Sequence, residues 1–372
     1  MKAGVIGATG YAGAELVRIL AGHPEIDELI LSSVSFEGDQ LEDIYPNFLG
    51  RVSCKLLKAE EVIESSDVVF AALPHGVGEK YAAACMTKKN HFIDLSADFR
   101  FDADEAVYNA WYDGKTYQYP DLHKNSVYGL PELNRQKIKK RAASGPVIIG
   151  NPGCYPTGGS LGAFPALAKG LNRADIPVIV DAISGVTGGG REPSRSFHYP
   201  ECADSVAPYK VASHRHSPEI ARNLAAMAAS GNNPAPQLIF TPRLAPMNRG
   251  ILSVIYIPLT AQWSVTVNNA MMPPSKEIAA KTAEIRELYA DFYRDEPFVR
   301  VLPCGMSAAT NRVRQSNFCD ISVHLDINGS TLIVTSAIDN MVKGAAGQAV
   351  QNMNVLCGFN ERAGLDMIPA LF

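Results

Sequence analysis

Ala3-Gly4-Val5-Ile6-Gly7-Ala8-Thr9-Gly10-Tyr11-Ala12-Gly13 decides the fold. An apolar run at 3–6 has the length and content of a buried strand, and residues 11–21 carry helical periodicity up to Gly22-His23-Pro24. Between them lie Gly7, Gly10 and Gly13, spaced G-x-x-G-x-x-G. Glycines at a strand-to-helix turn let a pyrophosphate approach the helix N–H groups without meeting a Cβ. The turn, with Thr9, Tyr11 and Ala12 between its glycines, therefore reads as a dinucleotide cradle. A tight turn with no ligand is the alternative.

Further along, the same alternation continues. Residues 29–34 form a second strand-like run. Residues 67–73 form a third, apolar almost throughout, as strands buried on both faces are. A helix-like stretch at 77–88 precedes another strand at 91–95. This order predicts a parallel, doubly wound sheet. The second strand ends in Ser32-Ser33-Val34-Ser35, with no carboxylate to hold a ribose 2′-hydroxyl. Hydroxyls at Ser33 and Ser35 fit a 2′-phosphate better, which favours NADP(H), although no arginine is adjacent.

The pattern changes near Gly150. Strands are expected at 178–183, 237–241, 251–259 and 298–302, and 321–326 and 331–338 flank the hairpin signal Asn328-Gly329. Helices are expected at 217–229, at 275–293 with Ile278, Ile285, Leu288 and Phe292 on one face, and, as a final amphipathic helix, at 341–356. The expected architecture is α/β. A dinucleotide-binding domain at 1–150 is completed by residues 340–372, and 151–339 form an α+β domain with a mixed sheet.

Composition narrows the class. Of 372 residues, 47% are hydrophobic and 19% charged, as in a soluble globular enzyme. A net charge of −4 gives no basic patch for nucleic acid, and Lys137-Ile138-Lys139-Lys140-Arg141 reads as a solvated surface. Apolar runs are too short to span a membrane. Seven scattered cysteines, without a C-x-x-C pair, fit a reducing compartment: the cytoplasm, or an organelle stroma after removal of a transit peptide.

One cysteine stands apart. Gly150-Asn151-Pro152-Gly153-Cys154-Tyr155-Pro156-Thr157 joins an apolar run at 146–149 to a helix-like run at 158–168. A thiol at a helix entrance faces unpaired N–H groups and the positive end of the macrodipole, which favour the nucleophilic thiolate. A thiolate and a nicotinamide in one chain point to chemistry on an acyl group or aldehyde. That chemistry needs an acid/base. Ser213-His214-Arg215-His216-Ser217-Pro218-Glu219 offers two histidines at a helix start, where Arg215 and the dipole would lower a histidine pKa. A metal site lacks a convincingly spaced third ligand. Leu95-Ser96-Ala97-Asp98-Phe99-Arg100 follows a strand at the carboxyl end of the sheet, where Arg100 and Ser96 could hold a phosphate; pairing of Arg100 with Asp98 or Asp102 is the alternative.

Together these blocks resemble the N-acetyl-γ-glutamyl-phosphate reductases, relatives of aspartate-semialdehyde dehydrogenase. Ala72-Leu73-Pro74-His75-Gly76, Tyr128-Gly129-Leu130-Pro131-Glu132 and Ser184-Gly185-Val186-Thr187-Gly188-Gly189-Gly190-Arg191 carry the resemblance as well, as does Val342-Lys343-Gly344-Ala345-Ala346-Gly347-Gln348-Ala349. It implies Cys154 as nucleophile, His216 as acid/base, and His214, Arg215, Ser96 and Arg100 on the substrate or its phosphate. Leu73, Pro74, Ser184, Gly185, Gly188 and Asn340 would join Gly7–Gly13 at the cofactor. It further implies a homodimer or homotetramer that takes the small molecule N-acetylglutamyl phosphate. Competing readings are aspartate-semialdehyde dehydrogenase, a carrier-protein-linked reductase of the same family, and a non-catalytic dinucleotide sensor.

Overall fold

The computed structural model describes residues 1–102, 104–267 and 275–371. The chain forms two compact units. One comprises Met1–Gly153 with Gly344–Ile368; the other comprises Cys154–Lys343 and the residues from Pro369.

The first unit holds six parallel strands in the order β2-β1-β3-β4-β6-β5: β1 Lys2–Ile6, β2 Glu28–Ser32, β3 Val68–Ala71, β4 His91–Asp94, β5 Ser126–Tyr128 and β6 Ile148–Gly150. The order reverses between β1 and β3, and doubly wound sheets bind ligands at the carboxyl ends of strands beside such a reversal. Ala3 to Ile6 and all of β3 are buried, as their unbroken apolar runs require. β5, the edge strand, is too short at three residues to give a periodic signal and is absent from the sequence expectation.

The helix Gly347–Cys357 also belongs to this unit, and it departs from expectation. It starts six residues late, after a π turn at Val342–Ala346, and Gly347 through Leu356 are all buried, so it is not amphipathic. Asn352 and Asn354 find partners inside. Asn352 Nδ2 donates to Gly129 O (2.7 Å) and to Asn151 Oδ1 (3.0 Å), and Asn354 Nδ2 donates to Ala363 O (2.9 Å). Buried amides are tolerated once hydrogen-bonded, so a polar stripe in sequence need not face water.

The second unit is built on a seven-stranded mixed sheet, β11-β12-β13-β10-β7-β9-β8. Its strands are β7 Val178–Ser184, β8 Ala207–Pro208, β9 Leu238–Leu244, β10 Ile251–Pro258, β11 Val299–Val301, β12 Cys319–Leu325 and β13 Thr331–Ile338. β12 and β13 form the expected hairpin, with Leu325 opposite Leu332. Gly329 takes φ +70°, and the Asp326 carboxylate accepts the Ser330 and Thr331 N–H groups.

The helix Cys154–Ala168 packs on this sheet and is buried from Tyr155 to Leu167. Each fully buried Leu or Phe there contributes about 1.5–3 kcal/mol. Gly162 permits the approach: a Cβ on it would lie 2.3 Å from Ile255 Cδ1. On the other face of the sheet, Ile179, Val254, Tyr256 and Ile333 alternate with buried neighbours and stay partly exposed. No helix among the described residues is long and apolar enough to cross a membrane.

Candidate active site

In the first unit the glycine turn closes as its sequence demands. Gly7 takes φ +86°, and Ser32 O accepts both Gly7 N–H (3.0 Å) and Ala8 N–H (2.9 Å). A Cβ on Gly13 would fall 2.1 Å from Gly7 O, and one on Gly7 would fall 2.4 Å from Ala72 O and 3.5 Å from Leu73 Cδ2, which places this turn beside Leu73, the residue before Pro74. Gly10 caps the helix Tyr11–Leu20. That helix has neither a capping side chain nor an acidic residue in its first turn, and Tyr11 is exposed at its start. Its first N–H groups are thus presented for an anion. Thr9 Oγ1 and Ser33 Oγ are 2.7 Å apart and buried, so Ser33 braces the turn, while Ser35 is exposed. Leu57 N–H donates to Leu31 O (2.8 Å), bringing Lys58 to the end of β2, where its Nζ lies 3.9 Å from Glu37. The strand-end sequence hides this cation because it arrives from a segment more than 20 residues away.

Gln348, in sequence only a member of the Val342–Ala349 block, is a second such feature. It is fully buried, and neither its Nε2 nor its Oε1 has a hydrogen-bond partner. A buried amide left unpaired costs about 1–3 kcal/mol, a common mark of a ligand position.

Ser96 and Arg100 lie in the same unit, engaged with protein. Ser96 Oγ donates to Asp94 (2.6 Å) and accepts Asp98 N–H (3.1 Å). Arg100 is buried rather than on the surface; its Nε donates to Asn151 O (2.8 Å) and its Nη2 to Leu95 O (2.9 Å). Arg100 therefore ties down the turn three residues ahead of Cys154. Asn151 is held at its side chain too, donating to Ala345 O (3.0 Å).

In the second unit Cys154 is the first residue of its helix, four residues earlier than the sequence reading places the helix start. Pro156 resembles a breaker in sequence, but proline is accommodated in a first helical turn. The thiol is half-buried. Its neighbour Tyr155 packs edge-on against both His214 (ring centroids 5.6 Å) and His216 (6.0 Å). The Tyr155 hydroxyl donates to Arg243 O (3.2 Å), and Tyr209 OH donates to Tyr155 OH (3.1 Å). Burial pushes the Tyr209 hydroxyl up to about 12, and a charge on Cys154 adds to that rise.

The His-Arg-His segment alternates: both histidines are buried and Arg215 is exposed. His216 N–H donates to His214 Nδ1 (3.1 Å), so His214 carries its hydrogen on Nε2 and is a neutral donor. Burial pulls its pKa down to about 4, with Arg215 and then Lys210 adding to the drop. The leading cause is therefore desolvation, not the neighbouring arginine that the sequence brings forward. His216 sits at the N-terminal cap of the helix Ser217–Ser230.

Ser184, Gly185, Gly188 and Asn340 come together in this second unit. Asn340 Oδ1 accepts Gly250 N–H (2.7 Å), and its Nδ2 donates to Thr187 Oγ1 (3.0 Å). A Cβ on Gly188 would lie 3.5 Å from Ser184 Oγ and 3.6 Å from Asn340 Nδ2. Asn340 thus fixes the glycine-rich turn that follows β7. The expected cofactor residues are divided, with Gly7–Gly13, Ser33, Ser35, Leu73 and Pro74 in the first unit and these four in the second. Among the described residues no three His, Cys, Asp or Glu side chains gather as a metal-binding group.

The chain matches two family profiles: "Semialdehyde dehydrogenase, NAD binding domain" over residues 2–141 and "Semialdehyde dehydrogenase, dimerisation domain" over residues 154–340. It is 46% identical over 372 residues to the N-acetyl-gamma-glutamyl-phosphate reductase of Clostridium beijerinckii, covering 100% of both chains. It is 44% identical over 374 residues to that of Brachyspira hyodysenteriae, also covering 100% of both. Among solved structures, aspartate semialdehyde dehydrogenase II of Vibrio cholerae, complexed with ASA, superposes with a TM-score of 0.69 at 16% identity, covering 96% of this chain and 98% of that one. Aspartate semialdehyde dehydrogenase of Candida albicans with NADP gives 0.62 at 16% identity, covering 98% of each. At such identities the structural likeness establishes the fold alone.

Proposed function

We propose, from the premise that this chain belongs to the N-acetyl-γ-glutamyl-phosphate reductases, that it reduces N-acetyl-γ-glutamyl phosphate to the γ-semialdehyde through a thioester on Cys154. The observation that carries this reading is the half-buried thiol at the first residue of a 15-residue helix, with Tyr155 packed on two histidines.

The residues present fit a nicotinamide dinucleotide. The glycine turn leaves no room for a Cβ and exposes helix N–H groups for the pyrophosphate. Gln348 has an unpaired buried donor and acceptor, the complement of a carboxamide. Ser35 and Lys58, at the end of β2, would take a 2′-phosphate, and on this ground NADP(H) is the preferred cofactor. When bound, the dinucleotide supplies the hydride that reduces the thioester carbonyl carbon.

The chain's own residues perform the rest. The helix N-terminus favours the Cys154 thiolate, which bonds to the γ-acyl carbon as the carbon–oxygen bond to phosphate breaks and inorganic phosphate leaves. Arg100 keeps the turn before Cys154 in place and contributes positive charge toward the leaving phosphate. His214, fixed as an Nε2–H donor, steadies negative charge on the substrate oxygen. His216 gives that oxygen a proton on reduction and takes it back as the thiohemiacetal expels the thiolate, releasing aldehyde.

The reverse assay tests this reading. With N-acetylglutamate γ-semialdehyde and phosphate, NADP⁺ should be reduced with kcat/KM at least roughly tenfold above that with NAD⁺. Activity with aspartate semialdehyde in preference to the acetylated substrate would overturn the substrate assignment, and NAD⁺ preference would overturn the role of Lys58.

A dimer through the exposed face of the second sheet completes the proposal. Ile179, Val254, Tyr256 and Ile333 occupy adjacent registers there, and apolar surface of this kind gains from burial against a second copy. Val254→Asp should halve the mass measured by light scattering; an unchanged oligomer mass would place the interface elsewhere.

A further inference from the structure

Two fully buried carboxylates, Asp94 at the end of β4 and Asp98 four residues on, meet beside the loop at residues 73–78. Asp98 accepts three donors: Gly76 N–H (2.6 Å), Gly78 N–H (2.9 Å) and Tyr108 O–H (2.8 Å). Asp94 accepts Ser96 N–H (3.1 Å) and Ser96 Oγ–H (2.6 Å), and Ser96 Oγ in turn accepts Asp98 N–H (3.1 Å). Both carboxyls border the same small space: a Cβ on Gly78 would lie 3.1 Å from Asp98 Oδ2 and 3.3 Å from Asp94 Oδ1. The loop is also held on its far side, where Lys115 Nζ donates to His75 O (2.7 Å) and the His75 ring meets Tyr112 edge-on at 5.2 Å.

Two buried negative charges that border one space repel one another, and a proton held on Asp94 relieves the repulsion. Burial, then the Asp98 charge, drives Asp94 strongly toward its protonated form, against the pull of the Ser96 hydrogen bonds and of Arg100. The other ionisable groups around the pair are accounted for. Tyr108 is held protonated by burial and by Asp98, and Glu79 accepts Tyr119 N–H (2.7 Å) and lies 3.4 Å from the buried His123.

We propose that Asp94 keeps a proton beside Asp98 and that, in this singly charged state, the pair clamps the 73–78 loop in the position that receives the dinucleotide. They are positioning residues: neither touches the cofactor, Asp98 acts through Gly76 and Gly78, and Asp94 acts through its charge on Asp98. The proposal rests on the reading above that Leu73 and Pro74 lie at the cofactor. Above neutrality the Asp94 proton is lost, the two charges repel, and the loop leaves its place.

A carboxyl raised above its unfolded value binds its proton more tightly in the folded chain, so its contribution is complete at low pH and is lost as pH rises through the folded value. NADPH binding, followed by nicotinamide fluorescence, should weaken about tenfold or more between pH 6 and pH 9 in the parent chain, as release of one proton allows. In Asp94→Asn, which removes the second charge and leaves the Glu79–His123 pair untouched, the Kd should be flat over that range. Asp98→Asn keeps one acceptor oxygen but sets an amide NH₂ against either Gly76 N–H or Gly78 N–H, and should weaken binding about tenfold at every pH, with the Cys154 alkylation rate unchanged as a check on folding.

The chain without cofactor separates failure of this idea from failure of the cofactor reading. Its Tm should fall with rising pH over the same window in the parent and not in Asp94→Asn. A parent and Asp94→Asn with superimposable Tm profiles overturn the proton on Asp94. A clear difference in Tm with no NADPH binding in either keeps that proton and rejects the cofactor position. Matching pH dependences of Kd in the two proteins reject the clamp.

Discussion

Cys154→Ser should lower kcat by roughly a thousandfold or more while leaving NADPH binding within about a factor of three. The helix beginning at Cys154 can favour a thiolate because a thiol needs only modest help to ionise near neutral pH. A serine hydroxyl in the same place needs a strong base, and His214 is engaged otherwise: its Nδ1 accepts the backbone N–H of His216. Serine fits the site, since Cys154 is half-buried and the helix it starts is buried from Tyr155 onward by other residues. The Tm should therefore move little, and the loss belongs to chemistry. Turnover of the serine variant near the parent rate would remove the covalent route.

The second large effect is at the histidine pair. His216→Asn should lower kcat by roughly 10²–10⁴-fold with a small change in KM, the range for loss of one acid/base group. His214→Asn should cost less and act on kcat/KM, because its role is that of a fixed hydrogen-bond donor. The pH profile distinguishes them further. Burial pulls the His214 pKa down to about 4, so this ring stays neutral throughout the working range, and no inflection between pH 5.5 and pH 8 belongs to it. Its stability contribution has the matching sign. With a folded pKa below the unfolded value near 6.5, it costs nothing above that value, and stability falls as pH drops from about 6.5 toward 4. A neutral-range inflection in kcat that persists in His216→Asn and disappears in His214→Asn would exchange the two roles.

Much of this could be read from residues alone, for identifiable reasons. Residues 3–13 join an apolar strand to glycines that only a tight turn and a close helix explain, and Asn328-Gly329 between alternating runs admits little but a hairpin. The start of the cysteine helix was obscured by Pro156, because proline in a first turn and proline as a breaker look the same in sequence. The last helix misleads for the opposite reason: Gln348, Gln351, Asn352 and Asn354 resemble a wet face, and only the folded chain supplies Gly129 O and the Asn151 side chain to Asn352 and Ala363 O to Asn354. Ser96 and Arg100 were placed at the correct end of a strand, but a motif does not reveal that Asp94, Leu95 and Asn151 already engage them. The tautomer of His214 depends on one backbone N–H two residues along, which no spacing rule encodes. Lys58 reaches the end of β2 through a pairing of distant segments, and such contacts are the least visible in a single sequence.

The most direct measurement is to mix the protein with N-acetyl-γ-glutamyl phosphate in the absence of dinucleotide, quench in acid, and map the product by peptide mass spectrometry. The expected result is one N-acetylglutamyl adduct per chain on the peptide bearing Cys154, stoichiometric release of phosphate, and loss of the adduct when NADPH is added before the quench. Turnover with no adduct on Cys154, or an adduct on any of the other six cysteines, would contradict it.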